Sequence, residues 1–129
     1  MNGARTTHVL GDVNGGTMES ILNSIKKMLG IEADYEPFDP DIIMHINSVF
    51  MDLATIGVGP SEGFRIEDDT SSWTDFIPGE LNFDAIKSYM YLRVKLLFDP
   101  PTSSAVLESY KREIDKWEWK LHVLAESNT

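Results

Sequence analysis

Four stretches of the chain carry apolar residues at helical spacing, with turn-forming residues between them. In the first, Ile21, Leu22, Ile25, Met28 and Leu29 share one face, which predicts a helix from about Met18 to Leu29. Thr17 is its candidate cap and Gly30 its stop. A polar, acidic link follows from Glu32 to Phe38. The second helix is expected to begin at Asp39-Pro40, where Asp39 offers a capping acceptor and Pro40 a pre-set φ. Ile42, Ile46, Val49, Phe50, Leu53 and Ile56 make its core stripe, and Gly57 followed by Gly59-Pro60 ends it.

The third helix is predicted over about Phe83 to Phe98, with Asn82 as cap. Its apolar residues run nearly all round, interrupted only by Lys87, Ser88, Arg93 and Lys95. Such a helix is central in its bundle or covered on a second side by another chain. Asp99-Pro100-Pro101 stops it, because the residue before proline avoids helical dihedrals. The last helix starts at Ser103 or Ser104 and runs to about Leu124, with Val106, Tyr110, Ile114, Trp117, Leu121 and Leu124 as its seam. Glu108 with Arg112 and Lys111 with Asp115 are expected as weak helical ion pairs. The short connection makes the third and fourth helices an antiparallel hairpin.

Residues 57–81 break the helical pattern. Gly63 to Glu67 alternates enough for a short strand, Glu67 to Thr70 reads as a turn, and Pro78-Gly79 as another. Ser71 or Ser72 is placed to cap a helical turn containing Trp73 and Phe76. With Phe64 and Ile66 these aromatics form a small core that would order the segment. The expected fold is therefore mainly α: a compact bundle of about four helices with an inserted irregular loop or short β-hairpin over about 57–81. Residues 18–129 make its single domain. Residues 1–17 hold four glycines and no apolar run of signal-peptide length, and are expected as a flexible leader or extension.

A length of 129 residues at 42% hydrophobic content supplies one real core. Cysteine is absent, which removes disulfides, thiolate metal sites and cysteine nucleophiles together. No apolar run is long enough to span a membrane as a helix. The formal charge of −10 is concentrated: residues 32–84 carry thirteen acids and one base, Arg65. An acidic centre disfavours phosphate-backbone and anionic-membrane binding. It solubilises the surface, meets a basic partner, or forms a wall that DNA passes without sticking.

Chemistry is sparse. His8, His45 and His122 stand alone, without the spacing that puts two ligands on one helix face. Asp39-Pro40-Asp41 and Asp68-Asp69 lack the calcium-loop pattern. Nucleophile motifs are missing, and Gly57-Val58-Gly59 lies where a helix ends rather than starts, unlike a phosphate cradle. No enzyme, metal or cofactor is expected. Interaction faces stand out instead. At about 100° per residue, Trp119 lies opposite the seam of the last helix. It is covered by the loop or first helix, or it contacts a partner, where Trp is enriched. Met44 and Met51 lie away from Ile42 and Ile46, among Asn47, Ser48 and Thr55, an adaptable surface unless another helix covers it. Met44, Met51, Trp119, His122 and Val123 are the candidate subunit or partner interface.

Three runs carry a family resemblance: Phe64 to Phe76, Ile86 to Thr102 and Tyr110 to Leu121, of which the Phe98-Asp99-Pro100-Pro101 corner is the most specific piece. Over about residues 18–124 the chain resembles the small head–tail connector (adaptor, or head-completion) proteins of long-tailed double-stranded DNA phages. The resemblance implies a virion protein of the neck, assembled in the bacterial host's cytoplasm. It implies a homo-oligomeric ring, commonly of about twelve subunits, beneath the portal protein. Such a ring extends the DNA channel without specific DNA binding and presents a surface to the next neck or tail-completion protein. A C-terminal segment, here roughly 119–129, would dock on the portal. No catalysis, cofactor or membrane is implied. The alternative from the residues alone is a monomeric acidic helical adaptor or regulatory domain with one basic protein partner.

Overall fold

The computed structural model describes residues 19–78 and 83–127. They form α1 (Ile21–Met28), α2 (Asp39–Thr55), the single turn α3 (Trp73–Phe76), α4 (Phe83–Phe98) and α5 (Ser104–Ser127). Residues 1–17, the Thr17 and Asn82 caps and the turn at Gly79 lie outside the described residues.

Ser20 caps α1, its Oγ accepting from the Asn23 backbone N–H at 3.1 Å. At the other end Gly30 adopts φ +83°, and the Gly30 and Ile31 N–H groups return to the Lys27 and Lys26 carbonyls. That paired closure satisfies the orphan carbonyls of the last turn and needs a left-handed residue at Gly30. Asp39 opens α2 but does not cap it; Phe38 takes the cap position without a side-chain bond. The Asp39 carboxylate instead turns to Lys26, which is fully buried. The Lys26 ammonium donates to the Ala33 carbonyl at 3.0 Å and the Tyr35 carbonyl at 2.7 Å. Asp39 Oδ1 approaches it at 2.8 Å as an ion pair. Two hydrogen bonds and one ion pair thus hold the ammonium, and the acidic link is folded back onto α1.

The core joins Ile21, Leu22 and Ile25 of α1, Ile42, Ile46, Val49, Phe50 and Leu53 of α2, and Ile86, Tyr89, Met90 and Val94 of α4. The loop is ordered by the same core rather than by one of its own. Phe50 contacts Phe64, Phe76 and Trp73 at ring-centroid distances of 5.1, 4.6 and 6.4 Å. The Trp73 indole N–H donates to Ser24 Oγ at 3.0 Å. Ser72 begins α3 as expected, its N–H donating to Asp75 Oδ2 at 2.8 Å.

The strand expected at 63–67 does not form: no strand occurs among the described residues, and the irregular loop is what holds. Ile66 is buried and pairs with a side chain instead of a strand. Its N–H donates to Asn47 Oδ1 at 2.8 Å, and its carbonyl accepts from Asn47 Nδ2 at 3.0 Å. One carboxamide does the work of a neighbouring strand.

Helix α4 is central, packing on α1, α2 and α5. That explains its apolar surface, although Leu97 remains half exposed. In α5 the C-terminal half meets the core through Ile114, Trp117, Leu121 and Ala125, while Val106 is exposed, so only part of the expected seam is covered. Its surface pairs include Glu108–Lys111, Glu113–Lys116 and His122–Glu126, so Glu108 and Lys111 meet each other rather than the expected Arg112 and Asp115.

Candidate interaction surfaces

Two apolar faces marked by helical spacing remain uncovered among the described residues. On α2, Met44 is 59% and Met51 70% exposed. The core residues Ile42, Ile46 and Leu53 hold the opposite side of that helix, so the methionines must point outward. With the 61–65 segment they line an open groove of about 950 Å³, walled by Ser48, Thr55, Glu62 and Phe64. Asn47 builds this groove rather than belonging to a free surface, because its carboxamide is spent on Ile66.

On α5, Trp119 is 67% exposed; neither the loop nor α1 covers it. Its position is set by neighbours that are tied down. Glu118 accepts a 2.8 Å bond from the Tyr89 hydroxyl, which in turn accepts from Arg93 Nη1 at 2.7 Å. Arg93 Nη2 donates to Asp52 Oδ2 of α2. A single polar chain therefore joins α2, α4 and α5. Burial, and then donation to Glu118, push the Tyr89 hydroxyl up to about 12. Two residues past Trp119, Leu121 is buried. His122 Nδ1 stands 3.2 Å from the Ile56 carbonyl oxygen, and its Nε2 3.4 Å from Glu126. His122 therefore helps fix α5 to the end of α2, while Val123 is exposed beside Trp119.

Sequence reasoning missed a third face. Tyr35 and Phe38 in the acidic link are 49% and 41% exposed. The Phe38 ring meets Tyr35 in a tilted contact at a centroid distance of 5.6 Å and Phe98 edge to face at 5.2 Å. The available signal was two aromatics three residues apart in a segment otherwise polar.

The described residues contain no group of three or more His, Asp or Glu that could hold a metal ion, and no helix long and apolar enough to cross a membrane. What they do contain is a small helical module with several exposed apolar faces. The chain belongs to the phage connector protein family, whose pattern matches residues 21–128. Membership carries a structural role in joining phage head to tail and a place in the virion neck, in association with other head and tail proteins. No curated protein and no solved structure matches the chain.

Proposed function

We propose that this protein is a ring-forming head–tail connector that docks under the portal, extends the DNA channel and receives the next neck or tail-completion protein. The observation that carries the ring is the pair of exposed apolar faces on two different helices, Met44/Met51 on α2 and Trp119/Val123 on α5. Two unlike faces on one subunit favour a head-to-tail contact, and such contacts make a ring when the rotation between successive copies closes. Apolar patches of this kind are otherwise a solubility liability on a free monomer. The acidic stretch 32–84, with thirteen acids against one base, suits a conduit wall, since duplex DNA carries about one charge per 1.7 Å and is repelled by it. Assembly takes place in the host bacterial cytoplasm, and no cofactor takes part.

The test is addition to isolated portal rings, read by negative-stain imaging. The expected product is a second ring, coaxial with the portal and open along the axis. Portal rings that stay bare at saturating protein contradict the proposal.

A further inference from the structure

We infer that the 64–67 segment is an open strand edge, and that it takes an extended, lysine- or arginine-bearing segment of a different protein as its pairing strand. Such pairing needs no ring and would occur on a free subunit as well.

The backbone defines the occupant. Both polar groups of Ile66 go to one carboxamide, the N–H to Asn47 Oδ1 and the carbonyl to Asn47 Nδ2. A residue presents its N–H and its carbonyl to the same side only when the backbone is extended. Burial alternates accordingly: Ile66 is buried, while Arg65 and Glu67 on either side are exposed. In an extended segment the N–H and carbonyl groups of Arg65 and Glu67 point to the opposite edge, away from Asn47. They make no hydrogen bond among the described residues. Two donors and two acceptors at strand spacing are what a paired strand answers. A helix spends its own peptide groups internally and cannot.

The edge is held ready. Phe64 packs on Phe50 and Phe76 at ring-centroid distances of 5.1 and 5.4 Å, and Ile66 sits in the core. Arg65 is thus pinned from both sides, so that an added strand has to order only itself.

Charge selects the strand. Glu62, Glu67, Asp68 and Asp69 flank the edge against one base, Arg65, a net of −3. The same edge of a second copy carries the same excess and is repelled. Every other base among the described residues lies on α1, α4 or α5, where the backbone is helical. Outside them Arg5 is the only base. The occupant is therefore a strand of another protein, with lysine or arginine opposite Glu67 and beside Asp68. Main-chain bonds supply the affinity in strand addition, and the side chains choose the partner.

The experiment uses the full-length protein and a synthetic peptide of alternating lysine and threonine. Binding is read by fluorescence anisotropy, and its place by hydrogen–deuterium exchange. At millimolar peptide the Arg65 and Glu67 amides should exchange about threefold more slowly or better. The same peptide with alternate backbone amides methylated keeps its charge and loses its donors, and should bind at least about tenfold more weakly. A glutamate–threonine peptide should not bind. Equal binding of the methylated peptide would reduce the contact to charge attraction and overturn strand pairing. A glutamate peptide that binds as tightly as the lysine one would overturn the choice of a basic strand. Unchanged exchange at Arg65 and Glu67 would overturn the site. Amides already protected in the protein alone would show the edge filled by the chain itself, and would likewise overturn it.

Discussion

The Asn47 carboxamide on α2 holds both backbone polar groups of Ile66, nineteen positions away in sequence, at 2.8 and 3.0 Å. This contact converts an irregular segment into a wall of the α2 groove. It also lets Ile66 enter the core without an unsatisfied peptide group.

Asn47→Ala is expected to leave both groups of Ile66 unpaired, at a cost of about 2–4 kcal/mol. Asn47→Asp keeps the acceptor for the N–H and loses the donor to the carbonyl, so it should fall between wild type and alanine. Urea denaturation of the three proteins checks the order. Equal stability of Asn47→Ala and wild type would remove the clamp from the account.

Lys26 is a second anchor. Its buried ammonium holds the Ala33 and Tyr35 carbonyls and the Asp39 carboxylate. Lys26→Ala should destabilise by about 3–5 kcal/mol, because a buried polar cluster loses its only cation. Amide exchange over residues 31–38 should accelerate at the same time. A surface-like change below about 0.5 kcal/mol would contradict the burial.

Two glycines separate backbone strain from steric exclusion. Gly30 at φ +83° has open space where a Cβ would stand, whereas at Gly59, φ +89°, that Cβ would collide with the Phe76 ring. Gly30→Ala should cost about 1–2 kcal/mol from the left-handed conformation alone. Gly59→Ala adds displacement of a core aromatic and should cost at least about 1–3 kcal/mol more. Thermal denaturation of the pair provides the comparison, and equal costs would contradict it.

Alkaline pH probes the joint between α4 and α5. Tyr89 is pushed up to about 12 by burial and by its bond to Glu118, and Tyr91 to about 12 by burial and its contact with Tyr110. In the unfolded chain both lose their protons near the ordinary value of 10. Between these values the folded protein binds more protons, so stability is complete below about pH 10 and falls as pH rises towards 12. Tyr89→Phe should lower stability by about 1–3 kcal/mol at neutral pH. It should also flatten the decline above about pH 10, as measured by denaturant titration at several pH values. A decline as steep as wild type would place the alkaline sensitivity elsewhere.

Helix extents were legible where punctuation was strong. The Asp99-Pro100-Pro101 corner and the apolar run before it define the end of α4, and Gly30 and Ser72 act as stop and cap as their chemistry requires. The exposure of Met44, Met51 and Trp119 was legible too, because it follows from angular position on a helix whose other side is apolar. The anchors were not. The partners of Lys26 are mostly backbone carbonyls, which leave no trace in sequence. The alternation at 63–67 does mark Ile66 as buried between exposed Arg65 and Glu67, but a side chain supplies what a strand would. Period-two burial without a partner strand mimics a β-strand in any single-sequence reading. Asp39 likewise has the residue type of a cap, yet a buried cation one helix away holds it more strongly.

The central claim is that this chain builds a closed ring, and native mass spectrometry across a range of protein concentrations tests it most directly. The account predicts a discrete species at a single high multiple of the 14.5 kDa subunit, near about twelve, with no open-ended series. A monomer or a simple dimer at every concentration would contradict it.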